Sequence, residues 1–205
     1  MCKTVGILTI QGDFDAHRRL LERLGVAVRP VLYPSDLEEI DALVIPGGES
    51  TTISKGMQRL GLYEPLRRHI DAGLPVLGTC AGAILLSREA RNHAVPVLGV
   101  LDVTAMRNAY GTQVDSFAAT LNGTASEGLE GLRCIFIRAP QLENPGPGLK
   151  VLARVDGKPV FVRQGNVLAT TFHPELTDDV RVHARLLDRV RVRDAGEKAS
   201  SASSV

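Results

Sequence analysis

Residues 75–86 read Pro75-Val76-Leu77-Gly78-Thr79-Cys80-Ala81-Gly82-Ala83-Ile84-Leu85-Leu86. A short apolar run ends at small residues, one cysteine follows, and a stretch of helical composition begins. This order predicts a strand, a tight turn and a helix, with the thiol of Cys80 exposed at the carboxyl end of a sheet. The helix N-terminus would favour the thiolate, the reactive form of cysteine. Taken alone, a lone cysteine in an apolar run is more often a buried structural residue.

Short apolar runs alternate with helical patterns along the rest of the chain. The predicted strands are residues 5–10, 26–31, 42–45, 76–77, 134–137, 160–163 and 167–171. The predicted helices are residues 16–24, 35–38, 64–72, 81–90 and 178–190. This alternation indicates an α/β fold of three layers, with helices on both faces of an open, mainly parallel sheet. The last two predicted strands flank a plausible hairpin turn at residues 164–166, so some antiparallel strands should join the sheet.

Composition excludes several classes of protein. The chain has 205 residues, of which 44% are hydrophobic and 23% charged, and its net charge is +1. We therefore expect one domain over residues 1–193, a disordered polar tail at 194–205, and no large field to attract nucleic acid or a membrane surface. The three cysteines are far apart, which argues against disulfides and a zinc site. Neither a signal peptide nor a membrane span is evident, and we expect a cytoplasmic protein.

Three segments follow predicted strands and should meet at one edge of the sheet: residues 46–52, 78–82 and 171–175. His173 precedes a proline, which biases it to an extended conformation, and Glu175 lies two residues further on. Cys80, His173 and Glu175 would then supply a nucleophile, a base and a group that orients the base. Taken alone, the histidine and the glutamate would be explained as well by a satisfied imidazole and a helix cap.

Two backbone segments are candidates for stabilising an oxyanion. Gly47 and Gly48 follow a strand, where they could form only a tight turn or could direct N–H groups at a developing negative charge. The amides of Gly48 and Ala81 are the predicted donors.

Six motifs together resemble the glutaminase subunits of pyridoxal 5′-phosphate synthase, the PdxT type, within the class I (triad-type) glutamine amidotransferases. They lie in the same order over almost the whole chain, at residues 46–52, 78–82, 107–111, 113–117, 136–140 and 172–177. Cys-x-Gly with His-Pro-Glu is common to the wider class. The Gly-Gly-Glu-Ser-Thr-Thr, Arg-Asn-x-Tyr-Gly and Phe-Ile-Arg-Ala-Pro segments narrow the resemblance to this subunit.

The resemblance implies a flavodoxin-like fold and the hydrolysis of L-glutamine to L-glutamate and ammonia. Cys80 would form a thioester, His173 would protonate the departing ammonia, and Glu175 would orient His173. The substrate-binding positions of the family correspond to Gly48, Glu49, Ser50, Arg107, Ile137 and Arg138. An arginine suits the α-carboxylate and Glu49 suits the α-ammonium, but which arginine binds stays open. Without the motifs, an ordinary ion pair would explain Arg107 and Arg138 better.

The resemblance also implies a partner and no cofactor or metal. The ammonia would pass to a synthase subunit of the PdxS type, a (β/α)₈ barrel, in a hetero-oligomeric complex. One hypothesis is that the Gly47–Gly48 peptide turns into its oxyanion-binding orientation only in that complex. Three alternatives are a glutaminase that serves a different synthase, a redox protein with Cys80 as oxidation sensor, and a catalytically silent scaffold.

The other histidines have polar neighbours in the sequence. His17, His69 and His183 lie on predicted helices, and we expect all three at the surface. Gln11 and Gly12 follow the first strand and could border either the active site or a partner surface.

Overall fold

The computed structural model describes residues 3–107, 116–121 and 128–190. The predicted tail at 194–205 and most of the motif residues at 107–115 lie outside this part. The described strands are β1 (Thr4–Leu8), β2 (Ala27–Val31), β3 (Ala42–Ile45), β4 (Val76–Thr79), β5 (Ser87–Arg91), β6 (Leu101–Met106), β7 (Ser116–Thr120), β8 (Arg133–Ile137), β9 (Gln141–Glu143), β10 (Lys150–Val155), β11 (Lys158–Gln164) and β12 (Val167–Thr170). The described helices are α1 (Phe14–Arg23), α2 (Ser50–Arg59), α3 (Tyr63–Asp71), α4 (Ala81–Leu86) and α5 (Arg181–Leu187), with 3₁₀ helices at Pro34–Glu39 and Pro174–Leu176.

The main sheet has seven strands in the order β10-β11-β12-β4-β3-β1-β2. Strands β2, β1, β3, β4 and β12 are parallel, whereas β11 and β10 extend the sheet in antiparallel fashion. Because β4 lies between β3 and β12, the segments that follow these three strands emerge side by side at one edge. This topology confirms the predicted α/β class and places the three motif segments together.

Alternate residues of the central strands face opposite layers. In β3, Leu43 and Ile45 belong to a core cluster with residues of α2, α3 and α4. Ala42 and Val44 belong to a second cluster with residues of α1 and α5. All four side chains have 0% exposure, as expected for a parallel strand covered on both faces. The predicted arrangement of three layers is therefore confirmed.

The helix after Cys80 is shorter than predicted. It ends at Leu86 rather than near Ala90, and residues 87–91 form β5, which pairs with β6. The hydroxyl of Ser87 donates to the carbonyl of Ile84 at 2.6 Å and ends the last turn. Ser-Arg-Glu-Ala-Arg suits a helix by propensity, but pairing with β6 overrides this preference.

Other boundaries also differ from the prediction. The last helix begins at Arg181, not Asp178, and the carboxylate of Asp179 accepts a hydrogen bond from the amide of Arg181. Helix α2 was not predicted, although Ile53 and Met57 are spaced for one buried face. A three-stranded sheet, β5-β6-β9, and a pair, β7-β8, complete the described strands. Within the described ranges, every helix is too short or too polar to cross a membrane.

Candidate active site

Cys80 lies at a sharp turn between β4 and α4. Its backbone has φ +49° and ψ −100°, a conformation that costs a non-glycine residue about 1–3 kcal/mol. The amide of Cys80 donates to the carbonyl of Thr170 at 2.8 Å, which holds the turn against β12. A Cβ atom on Gly82 would lie 2.1 Å from the carbonyl oxygen of Ile45. The glycine therefore allows α4 to pack closely against the end of β3. The predicted order of strand, turn and helix around Cys80 is present.

His173 reaches the same edge from the end of β12. Its backbone is extended, at φ −102° and ψ +90°, as expected for a residue before proline. Its amide donates to the carbonyl of Ile135 at 2.8 Å. A Cβ atom on Gly47 would lie 2.5 Å from Cε1 of His173 and 3.4 Å from Cβ of Cys80. Gly47 is thus a close-approach position, since any side chain there would displace the imidazole.

The predicted nucleophile, base and orienting carboxylate meet at this edge of the sheet. Nδ1 of His173 and Oε1 of Glu175 are 2.7 Å apart. The contact forms although Glu175 lies in a single 3₁₀ turn rather than in the extended segment that was predicted. Because Nδ1 faces the carboxylate, Nε2 is the ring nitrogen left for the hydrogen bond with Cys80.

The electrostatics favour an ionised pair. Burial opposes a charge on His173, but hydrogen bonds and charges from Cys80 and Glu175 outweigh it and raise the pKa of His173 to about 10. Burial also opposes ionisation of Glu175, yet its hydrogen bond with His173 keeps its pKa below the usual value.

A cavity of about 380 Å³ opens in front of these groups. Its lining includes every residue predicted for catalysis, oxyanion stabilisation or substrate binding except Glu175, which lies behind His173 and is 6% exposed. The residues brought together are Gly48, Glu49, Ser50, Cys80, Ala81, Arg107, Ile137, Arg138 and His173. Their roles in catalysis and binding stay predictions.

Glu49 and Arg107 form a fixed charge pair in the cavity wall. The Glu49 carboxylate caps α2 by accepting hydrogen bonds from the amides of Thr51 and Thr52. Partial burial opposes its charge, but these bonds lower its pKa to about 2. Nη2 of Arg107 lies 3.2 Å from Glu49, and Nη1 donates to the carbonyl of His93 at 2.8 Å. The ion pair considered for Arg107 is therefore present, within the cavity.

Ile137 and Arg138 also line the cavity. The carbonyl of Ile137 lies 3.9 Å from the sulfur of Cys80, within reach of a weak S–H donor. Arg138 has φ +42°, an unusual conformation for a side chain of this size. The strained turn ends β8 beside Cys80.

Two of the three histidines expected at the surface are fully buried. His17 and His183 have 0% exposure, and His69 is partly buried. Leu20 and Leu21 follow His17 at the i+3 and i+4 positions, so its place on the apolar stripe of α1 is the signal that could have revealed its burial. Gln11 was also left open, and its Oε1 accepts a hydrogen bond from the amide of Glu49 at 3.0 Å, which places it beside the cavity wall.

Comparison with known proteins agrees with this site. The model of the SNO glutamine amidotransferase family matches residues 7–192. The chain belongs to this family. It is 50% identical over 194 residues to the pyridoxal 5′-phosphate synthase subunit PdxT of Koribacter versatilis (strain Ellin345), which covers 95% of this chain and 99% of that protein. The PdxT subunit of Fervidobacterium nodosum is 48% identical over 91% of this chain and 96% of its own length. The resemblance seen in the sequence is confirmed, and the protein is a glutamine amidotransferase.

Solved structures give the same result for the fold. A crystal structure of a glutamine amidotransferase superposes with a TM-score of 0.86 at 46% identity, covering 92% of this chain and 99% of that one. PurLQS from Thermotoga maritima superposes with a TM-score of 0.70 at 16% identity, over 93% of this chain and 100% of the other, and so supports the fold alone. The predicted class I glutamine amidotransferase fold is confirmed.

Proposed function

We propose that the protein is the glutaminase subunit of pyridoxal 5′-phosphate synthase and supplies ammonia for vitamin B6 synthesis. The observation that supports this most directly is the meeting of Cys80, His173 and Glu175 at one cavity. The PdxT name of relatives that match over nearly their whole length supports the pathway. The proposed reaction is hydrolysis of L-glutamine to L-glutamate and ammonia.

The thiolate of Cys80 attacks the side-chain amide carbon of glutamine. The amide oxygen becomes an oxyanion, and the imidazolium of His173 gives its proton to the departing nitrogen, so ammonia leaves and a thioester remains. Neutral His173 then takes a proton from water as the water oxygen attacks the thioester. Glutamate leaves, and the thiolate–imidazolium pair is restored. Glu175 keeps the imidazole oriented and stabilises its charge.

The amides of Gly48 and Ala81 are the proposed oxyanion donors, since both residues line the cavity beside Cys80. Each such donor typically lowers the barrier by about 3 kcal/mol. Gly47 leaves no room for a side chain against His173, so the adjoining peptide combines close approach with rotational freedom. A turn of the Gly47–Gly48 peptide when the synthase binds would couple hydrolysis to the presence of the acceptor.

The charged wall fits the zwitterionic end of glutamine. Arg107 binds the α-carboxylate, because contacts with Glu49, Thr51 and the carbonyl of His93 already hold its guanidinium in place. The carboxylate of Glu49 binds the α-ammonium. Ser50 and the turn formed by Ile137 and Arg138 complete the pocket around the substrate.

The proposed partner is a PdxS-type synthase subunit, a (β/α)₈ barrel, in a hetero-oligomeric complex. Ammonia released into water is protonated and loses its nucleophilicity, so enclosed transfer between subunits preserves it. The glutaminase needs no cofactor for this chemistry, because a thiolate, an imidazole and backbone amides perform every step.

The deciding experiment replaces the nucleophile in the complete complex. With the synthase subunit present, Cys80→Ala should abolish glutamine-dependent pyridoxal phosphate synthesis and leave ammonium-dependent synthesis intact. Cys134→Ala is the matched control, since burial raises the pKa of that thiol to about 12 and Cys134 does not line the cavity. If added ammonium does not rescue Cys80→Ala, the proposed division of labour is wrong.

Glutamate release by the chain alone and with the synthase tests the gating. Strong activation by the synthase supports a peptide turn that depends on the complex. Equal rates in both conditions would keep the hydrolase and discard the gating. No release in either condition would return weight to a redox or scaffold role.

A further inference from the structure

A buried pair of histidines lies behind the orienting carboxylate, on the side away from the cavity. His17 is on α1 and His183 is on α5, and neither side chain is exposed. Nδ1 of His17 and Nε2 of His183 are 2.8 Å apart, and the ring centroids are 5.1 Å apart. Two imidazoles from different helices are therefore joined inside the core.

The pair contacts Glu175 from behind. Oε1 of Glu175 binds His173, while Oε2 is buried and has no hydrogen-bond partner of good geometry among the described residues. Nε2 of His17 lies 3.4 Å from this Oε2 and also 3.4 Å from the hydroxyl of Thr79, the residue before Cys80. A buried carboxylate oxygen without a donor is costly, so the nearby imidazole nitrogen matters to it.

Burial opposes a positive charge on either imidazole of the pair. Burial lowers the pKa of His17, and burial together with the neighbouring imidazole lowers the pKa of His183 to about 3. The charges that act on His17 are those of Glu175 and Asp13, which favour its protonation, and that of His173, which opposes it. A neutral imidazole has one N–H donor and one acceptor, so the tautomer decides what faces Glu175.

One tautomer fits the surroundings better. With the proton on Nε2, His17 directs a donor toward Oε2 of Glu175, and its bare Nδ1 accepts from Nε2–H of His183. With the proton on Nδ1, two lone pairs would face each other at 3.4 Å. Nδ1 of His183, which has no partner among the described residues, would then bear a buried N–H without an acceptor. A buried N–H without an acceptor is rarer in proteins than a buried acceptor without a donor. The tautomer of His17 with its proton on Nε2 is therefore favoured.

We propose that His17 is a positioning residue for the hydrolysis of glutamine, and that His183 fixes its tautomer. The N–H of His17 holds Oε2 of Glu175 so that Oε1 stays directed at Nδ1 of His173. This inference rests on the proposed function. Without that donor, Glu175 gains by rotating or by taking up a proton, and either change weakens its support of the His173 imidazolium.

The experiment compares two amides at position 17. The side-chain nitrogen of Gln can occupy the place of imidazole Nε2 and donate to Glu175, whereas the shorter Asn reaches only the place of Nδ1. In the full chain with the synthase subunit, His17→Gln should keep kcat within about 3-fold. His17→Asn should lower kcat by about 10-fold or more while the KM for glutamine changes little, since small misplacements at a reacting centre have effects of this size. His69→Gln on α3 is the control that should change neither constant.

The proposal is overturned if folded His17→Asn and His17→Gln have equal kcat, or if both match the wild type. Thermal unfolding shows which variants are folded. A second measurement does not depend on glutaminase activity. Alkylation of Cys80 by iodoacetamide should shift to higher pH in His17→Asn and stay unchanged in His17→Gln.

These two measurements also separate the inference from the proposed function. If the wild-type complex releases no glutamate, the proposed function fails, and the alkylation profiles alone decide the position of Glu175. If the wild type is active and the profiles of the two amide variants coincide, the inference about His17 fails by itself.

Discussion

The two imidazoles that flank Glu175 have pKa values shifted in opposite directions. In front, the pKa of His173 is raised to about 10, whereas behind, the pKa of His17 is lowered. His17 is fully buried and His173 is partly buried at the cavity, and both rings lie within 3.4 Å of the same carboxylate. The front ring also has the sulfur of Cys80, while the back ring has a neutral imidazole and the repulsion of His173. Burial is the main cause of the lowered pKa of His17, whereas the contacts of His173 with Cys80 and Glu175 outweigh its partial burial.

This contrast suits the proposed chemistry. The front pair needs a mobile proton that can move to the leaving nitrogen and return from water. The back pair needs a fixed proton, because a second cation there would compete with His173 for Glu175. In this proposal, His17, which is buried away from the cavity, orients Glu175. His173, which lines the cavity, transfers protons.

Removing the front imidazole should have the largest effect. His173→Gln leaves the thiol without a base or a proton donor, and we expect glutamine-dependent kcat to fall about 10³-fold or more. Ammonium-dependent synthesis in the complex should persist. Rapid-quench measurement of glutamate release checks the change, and a loss below 10-fold would mean that another group moves the proton.

Neutralising the shared carboxylate should have the next largest effect. Glu175→Gln keeps the size of the side chain but removes the charge that supports His173 and can place an amide N–H against Nδ1. We expect kcat to fall about 10²- to 10⁴-fold, because the imidazole would be held in the wrong tautomer. Titration of His173 by NMR should show a lowered pKa. An unchanged pKa would show that Cys80 alone keeps the front ring charged.

The front side of Glu175 could be predicted from sequence, but the back side could not. The small residues around Cys80 and the proline after His173 are local patterns with strong steric consequences, so they fixed the turn and the strand end. His17 and His183 meet only because α1 and α5 pack on the same face of the sheet. The place of His17 on the apolar stripe of α1 indicates its burial, but no local pattern shows which residue it meets across the fold.

The same limit explains the errors in the fold. The parallel strands were predicted well because each is a short run buried on both faces. The residues of β5 predict the end of a helix, because their propensities favour helix. They form a strand only because they pair with β6. Local sequence predicts the strands and helices whose own residues form the core. It does not predict a segment whose conformation depends on pairing with a strand that is distant in the sequence.

Substitutions in the cavity wall test whether the difference in pKa between His173 and His17 depends only on the groups around Glu175. Arg107→Gln removes a preorganised cation from the wall, and we expect the KM for glutamine to rise about 10- to 100-fold, as for loss of a charged hydrogen bond. The pH profile of kcat should keep its shape, because neither ring is touched. Arg138→Gln is the matched comparison. If it raises the KM more than Arg107→Gln does, then Arg138 and not Arg107 binds the α-carboxylate.

The smallest effect should appear in stability, with opposite signs for the two sides. His183 has a folded pKa of about 3 against about 6.5 when unfolded, so below pH 6.5 the unfolded chain binds more protons and stability falls as the pH drops. The slope from one such group approaches about 1.4 kcal/mol per pH unit. His173 has a raised pKa, so its contribution is present below pH 6.5 and is lost as the pH rises toward 10.

Urea unfolding from pH 4.5 to pH 9.5 checks both slopes in one series. His183→Gln should lessen the loss of stability on acidification and leave the alkaline side as in the wild type. His173→Gln should do the reverse. Paired carboxylates such as Asp179 also lose stability in acid, so only differences between variants isolate each histidine. If the two variants give curves parallel to the wild type, the rings on the two sides of Glu175 do not differ in charge, and the division between a fixed and a mobile proton is wrong.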